Sequence, residues 1–139
     1  EPAQPVYPAA NVLSGVTRPY RGTNLWRSDP KQPMPQWVEL AWDRPVPVGR
    51  VQLTFPGHLL RDYRFYPPLY RDPECPRDYD VFVRSGGEWR EVVRERDNCQ
   101  CRKVHVLPEP VSADRLRVTV HAANGERAAG VFEIRVYAN

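Results

Sequence analysis

Apolar and polar side chains alternate with a period of two along Asp78–Arg84, Ala113–Val120 and Val131–Tyr137. Such alternation puts successive side chains on opposite faces of an extended chain, so each stretch predicts a strand with one face buried. Gln36–Trp42 repeats it, with Val38, Leu40 and Trp42 on one face and Trp37 and Glu39 on the other. Val48–Phe55 points Val51, Leu53 and Phe55 inward, with Asp43–Pro47 read as a turn between the two stretches. Shorter strands are expected at Asn11–Gly15, Glu88–Val93 and Lys103–Leu107, and Gly86-Gly87 marks the turn of a hairpin. The 16 prolines crowd positions 2–8, 30–35, 45–47 and 67–76, which excludes long helices. Eight short strands predict an all-β chain folded as an antiparallel β-sandwich, or jelly roll. On that scaffold the residues that act sit on loops.

A chain of 139 residues suits one domain, here 11–139, with Glu1–Ala10 read as a proline-rich linker tail. The start at Glu1 suggests a segment of a larger or processed protein. No apolar run is long enough for a transmembrane segment. The net charge of +3 is spread over interspersed acidic and basic groups, so no basic stripe for nucleic acid emerges. Catalysis by this domain is not expected. The sequence has no Gly-x-Ser-x-Gly, no phosphate loop and only three histidines, of which His105 and His121 lie in strands. Asp78 and Asp80 share a sheet face and read as solvated carboxylates.

Cys99 and Cys101 are too close together to pair comfortably. The expected disulfide joins Cys75 to Cys99 or Cys101, which implies an oxidising compartment and a secreted, extracellular or periplasmic location. The alternative is a zinc site from Cys75, Cys99, Cys101 and His105, although that spacing matches no strong zinc motif.

Function therefore turns on the loops. Pro56–Arg77 carries His58, Tyr63, Phe65, Tyr66 and Tyr70 among arginines, and a loop of this length is often functional. Sugar recognition needs a ring over the apolar face of a pyranose and polar groups for its hydroxyls. Tyr63, Tyr66 and Tyr70 are candidates for the ring, and equally for packing the loop onto the sandwich. Arg102 offers a planar fork of donors suited to adjacent hydroxyls or a carboxylate. Asn124 opens an Asn-Gly turn whose amide faces the same candidate site.

The order of Asn11-Val-Leu, Asn24–Ser28, Pro35–Leu40, Val48–Phe55, Asp78–Val83, Trp89–Val93, Ala113–Val118 and Phe132–Tyr137 resembles the discoidin, or coagulation-factor C-type, domain of the galactose-binding-like superfamily. Arg18–Tyr20 and Pro73–Tyr79 also look similar to C-terminal domains of some bacterial flavin-dependent oxidoreductases. The resemblance implies a non-catalytic carbohydrate-binding module whose partners are a glycan or polysaccharide and a parent catalytic domain in the same polypeptide. It implies His58, Asn98 and Arg102 as ligand contacts, and structural rather than sugar-stacking roles for Trp26, Trp37 and Trp89. Family members often hold a structural calcium through a C-terminal glutamate, matched by Glu133. The aspartate that should join it is replaced by Arg21–Asn24, which puts the calcium in doubt; Arg21 would have to pair with a carboxylate instead. No other cofactor is implied. Two further roles stay open: a docking domain on a larger enzyme, and a lipid or cell-surface adhesion module using Leu59, Leu60 and Arg61.

Overall fold

The structure, a computed structural model, describes residues 7–17, 24–57 and 71–139. A 3₁₀ helix at Ala9–Leu13 precedes strands β1 (Trp26–Arg27), β2 (Gln36–Thr54), β3 (Pro76–Ser85), β4 (Glu88–Glu95), β5 (Arg102–Ala123), β6 (Gly130–Val131) and β7 (Glu133–Tyr137). All pairings are antiparallel: β4-β3-β5-β2-β7 in one sheet and β1-β6 in a second, small one.

The long strands β2 and β5 make this arrangement a sandwich. Gln36–Ala41 pairs with Arg115–Val120, and Arg50–Thr54 pairs with Arg102–Val106 and with β7. Between these segments the register slips at Ala41/Val46 and again at Val48/Arg50. Irregularities of this kind bend a strand and let it pass from one layer to the other. The Asp43–Pro47 segment read as a turn is that bend, within a continuous strand; its two prolines lie on exposed positions. One layer is then β4, β3 and the halves of β5 and β2 near Leu116 and Val38; the other holds β7 and the opposite halves.

Inward positions of both layers meet in one core, including Val38, Leu40, Val51, Leu53, Val81, Val83, Leu116, Val118 and Ile134. Full burial of each large apolar side chain is worth about 1.5–3 kcal/mol. Phe55 meets Tyr79 edge-on with ring centroids 5.0 Å apart, and the Tyr79 hydroxyl lies 2.8 Å from His105 Nε2 across the layers. The β3–β4 turn places Gly86 and Gly87 at φ 58° and 85°, where a side chain would be strained.

Two terminal expectations change. Asn11–Gly15 is not a strand: Ala9–Leu13 winds as a 3₁₀ helix, buries Val12, and holds Leu25 O through Asn11 Nδ2 at 2.9 Å. Ala9 and Ala10, read as linker, belong to that helix, and Tyr7 O accepts from Arg27 N at 3.3 Å.

The tryptophans divide. Trp26 is fully buried, as expected of a structural indole. Trp37 and Trp89 are not core residues. Both lie on the outer face of the larger layer, where Arg117 inserts its guanidinium 4.2 Å from each ring. Glu39 accepts from Arg115 Nη1 at 2.6 Å and from Arg117 Nε at 3.1 Å. The indoles thus cover a cation instead of closing the sandwich.

Candidate functional site

The loops that leave β2 and precede β3 and β5 converge on Cys101. A side chain at Gly57 would collide with Cys101 Sγ and come within 3.9 Å of Asp72 Cβ. The chain therefore departs at Gly57 and is back at Asp72 beside the same cysteine, one residue from Arg102. His58, Tyr63, Tyr66 and Tyr70 fall in the intervening segment and lie outside the described residues, as do Leu59, Leu60 and Arg61.

Asn98 and Asn124 are brought together here, each bound to the backbone of the fold itself. Asn98 is 4% exposed; its Nδ2 donates to Pro76 O at 2.8 Å and Gln100 O at 3.0 Å, while its Oδ1 accepts from Gln100 N. Asn124 Nδ2 donates to Cys75 O and Asn98 O, both at 3.0 Å, and its Oδ1 accepts from Arg71 Nη1 at 3.2 Å. Both amides are spent on backbone groups around the start of β3 and the loop before β5. Together they form a clasp, closed on its outer side by the Arg71–Asp97 ion pair at 3.0 Å.

The expected disulfide is not formed. Cys75, Cys99 and Cys101 are free thiols. Cys75 is fully buried, with Sγ 3.5 Å from Gln100 O, and Cys101 Sγ lies 3.9 Å from Pro56 O. Interaction with the Cys101 sulfur, then burial, pushes the Cys75 thiol up, and the same interaction holds Cys101 below the ordinary thiol value. Nor do these sulfurs assemble a zinc site with His105. Its imidazole bonds Tyr79, and no group of three His, Cys, Asp or Glu among the described residues could hold a metal.

Arg102 has a different setting. It opens β5 on the outward face, beside Thr54 of β2 and, across it, Glu133 of β7. Arg102, Gln52, Thr54, Glu133, Arg135 and Thr17 line a polar depression of about 300 Å³. Arg102 Nη2 donates to Gln52 Oε1 at 3.1 Å, and among the described residues no carboxylate pairs with it. Cys101 also lines the depression, so it adjoins the asparagine clasp.

Glu133 is 3% exposed and its Oε1 accepts from Arg135 Nε at 2.9 Å. A carboxylate already bound to a guanidinium, with Thr54 and Thr17 as its neighbours, is one anionic ligand where calcium needs several. The described residues do not fit that ion. Arg21 lies outside them.

Gln52, Thr54 and Arg135 were not singled out by sequence reasoning. The signal was present: in β2 and β7 they occupy the outward parity, opposite Val51, Leu53 and Ile134, and only the strand register shows that they surround Arg102.

Both strand histidines have structural partners. Burial lowers His105 below its usual value. His121 Nε2 lies 2.6 Å from Asp80 Oδ2, and Asp80 also accepts from Arg96 at 2.7 Å. Burial opposes ionisation of Asp80, but the Arg96 and His121 bonds outweigh it and hold the carboxyl low. Asp78 is likewise paired, with Arg77 at 3.0 Å, so neither carboxylate is merely solvated.

No family model and no curated protein matches the sequence. Solved structures do. The family 32 carbohydrate-binding module of Streptococcus pneumoniae EndoD superposes with a TM-score of 0.75 over 98% of this chain and 88% of that one, at 18% identity. The family 32 module of Clostridium perfringens NanJ, solved with galactose, gives 0.71 over 97% and 88%, at 15% identity. This chain shares their antiparallel β-sandwich fold. The lectin domain of lectinolysin, solved as a His 62 mutant with Lewis b, shares it at 0.71 over 100% and 89%, at 15% identity. Such identities establish shared architecture, and the site must speak for the ligand.

Proposed function

We propose that this galactose-binding-like domain is a non-catalytic carbohydrate-binding module. The observation that carries the reading is the Arg102 depression: a guanidinium free of any described carboxylate, set among amide and hydroxyl groups at the corner where Gly57 and Asp72 meet beside Cys101. A hollow of about 300 Å³ is at the small end of ligand sites. It suits one sugar residue, with Arg102, Gln52 and Thr54 as donors and acceptors for hydroxyls. Solved neighbours of the same fold hold galactose, a GalNAc-β-1,3-galactose disaccharide and Lewis b, which supports a glycan over other ligands.

A monosaccharide of about 12 heavy atoms at roughly 0.3–0.5 kcal/mol each gains only about 4–6 kcal/mol. Binding is then near-millimolar to sub-millimolar. Such affinity serves a module carried on a larger polypeptide that supplies the second contact, and glycans of this kind are met outside the cell. No helix among the described residues is long and apolar enough to cross a membrane.

A glycan array followed by titration of the hits tests the reading. Arg102→Ala should reduce affinity for every hit at least about tenfold, the loss expected of a charge-assisted bond. Hits bound equally by wild type and Arg102→Ala would move the site elsewhere.

A further inference from the structure

The outward parity of three adjacent strand segments is known from their register: Arg50, Gln52 and Thr54 on β2, Arg102, Val104 and Val106 on β5, and Glu133, Arg135 and Tyr137 on β7. Three arginines share this face with one carboxylate. Glu133 is shielded and spends Oε1 on Arg135 Nε, while the Arg135 side chain, which Tyr137 also contacts, stays 48% exposed. Arg50 lies 4.4 Å over the Tyr137 ring. Its Nε is buried with no partner among the described residues. Several arginines elsewhere are matched, among them Arg84 with Asp114, Arg96 with Asp80, and Arg115 and Arg117 with Glu39. Positive charge left uncompensated on one face of such a molecule calls for an anion.

Resting on the glycan reading above, we infer that the depression takes an acidic saccharide, its carboxylate or sulfate group held between Arg102 and Arg135. Two donors on Arg102 can meet two acceptor oxygens of one anion in a planar fork, while Arg135 approaches from the other side of Gln52. Gln52 and Thr54 then take hydroxyls of the same residue. Val104 and Val106, 47% and 71% exposed, continue the face along β5 and give a chain of sugars an apolar surface for its C–H groups. A phosphodiester chain would use the guanidiniums but has no use for these valines or for the amide and hydroxyl between the cations.

The intact domain is titrated with three probes at low salt: oligogalacturonate, the same oligomer methyl-esterified, and a sulfated galactose oligomer. Acidic probes should bind at least about tenfold tighter than the ester, as charge-assisted bonds exceed neutral ones. Arg102→Gln should bring that ratio near one. Arg135→Lys, which keeps a cation beside Glu133 and so protects the fold, should lower it partway. Preference for uronate or for sulfate names the anion. Equal binding of acid and ester, or a ratio unmoved in Arg102→Gln, overturns the acidic assignment while leaving the glycan reading intact. No binding of any saccharide, acidic or neutral, removes both. Displacement of the acidic oligomer by a DNA oligonucleotide at equal charge concentration also overturns it, because the face would then attract any polyanion.

Discussion

Arg117→Met tests whether the outer face of the larger layer is a structural device. Methionine keeps an unbranched stem between the indoles of Trp37 and Trp89 and removes only the charge. Two contacts at 4.2 Å are lost, each worth about 0.5–1 kcal/mol where rings are partly exposed. The Nε and Nη2 bonds to Glu39 go as well, but Glu39 retains Arg115 and is not left as an unpaired buried charge. Discounted for solvent, that pair adds about 1 kcal/mol. The sum is about 2–3 kcal/mol. At roughly 4 °C per kcal/mol for a chain this size, Tm should fall by about 8–12 °C. Thermal and urea unfolding of wild type, Arg117→Met, Trp89→Leu and the double variant give the coupling directly. Raising salt should weaken the Glu39 share and spare the stacking share. A loss below about 0.5 kcal/mol, or no coupling between Arg117 and Trp89, refutes the account.

Three shorter predictions follow from the thiols, the buried imidazole and one glycine. Iodoacetamide at mildly alkaline pH should modify Cys101 well before Cys75, since interaction with the neighbouring sulfur favours thiolate on Cys101, while Cys101 and then burial suppress it on Cys75; peptide mass spectrometry reads the order. Burial depresses His105 from 6.5, so the unfolded chain binds a proton that the folded chain refuses. Its contribution is complete above about pH 6.5 and declines as pH falls toward the folded value, and urea midpoints between pH 7.5 and 5 should slope less in His105→Gln. A Cβ at Gly49 would sit 2.8 Å from the Ala138 carbonyl carbon, and backbone cannot rotate away. Gly49→Ala should lose about 1–3 kcal/mol by urea unfolding, with β7 displaced.

Much of the architecture could be read from alternation alone, because inward parity at Val38, Leu40, Val51, Leu53, Val81 and Val118 is a local property. The joins could not. Asp43–Pro47 has turn composition, yet it is a strand bending between layers, and that depends on partners found on distant β5. Asn11–Gly15 shows why short apolar runs mislead: Val12 is buried from a 3₁₀ turn as readily as from a strand. The candidate site divides on the same line. Arg102 was visible as a loop-edge guanidinium, and the structure gives it a polar hollow. Asn98 and Asn124 have the same chemistry as a sugar contact, but their amides bind backbone carbonyls at Cys75, Pro76, Asn98 and Gln100, a demand no single sequence displays. Trp37 and Trp89 were misplaced because an indole stacked on a cation and an indole in a core look alike in sequence.

Both long strands are common property of the two layers, since β2 and β5 each cross the bend and hydrogen-bond on either side of it. Neither layer owns a complete set of strands, so one cannot peel off or slide while the other survives. Melting should therefore be a single event, and a severed peptide bond near Asp43 would cripple the whole barrel-like stack, far beyond its own corner. Whatever load a tether at one terminus applies is carried across to the other as through a solid bracket.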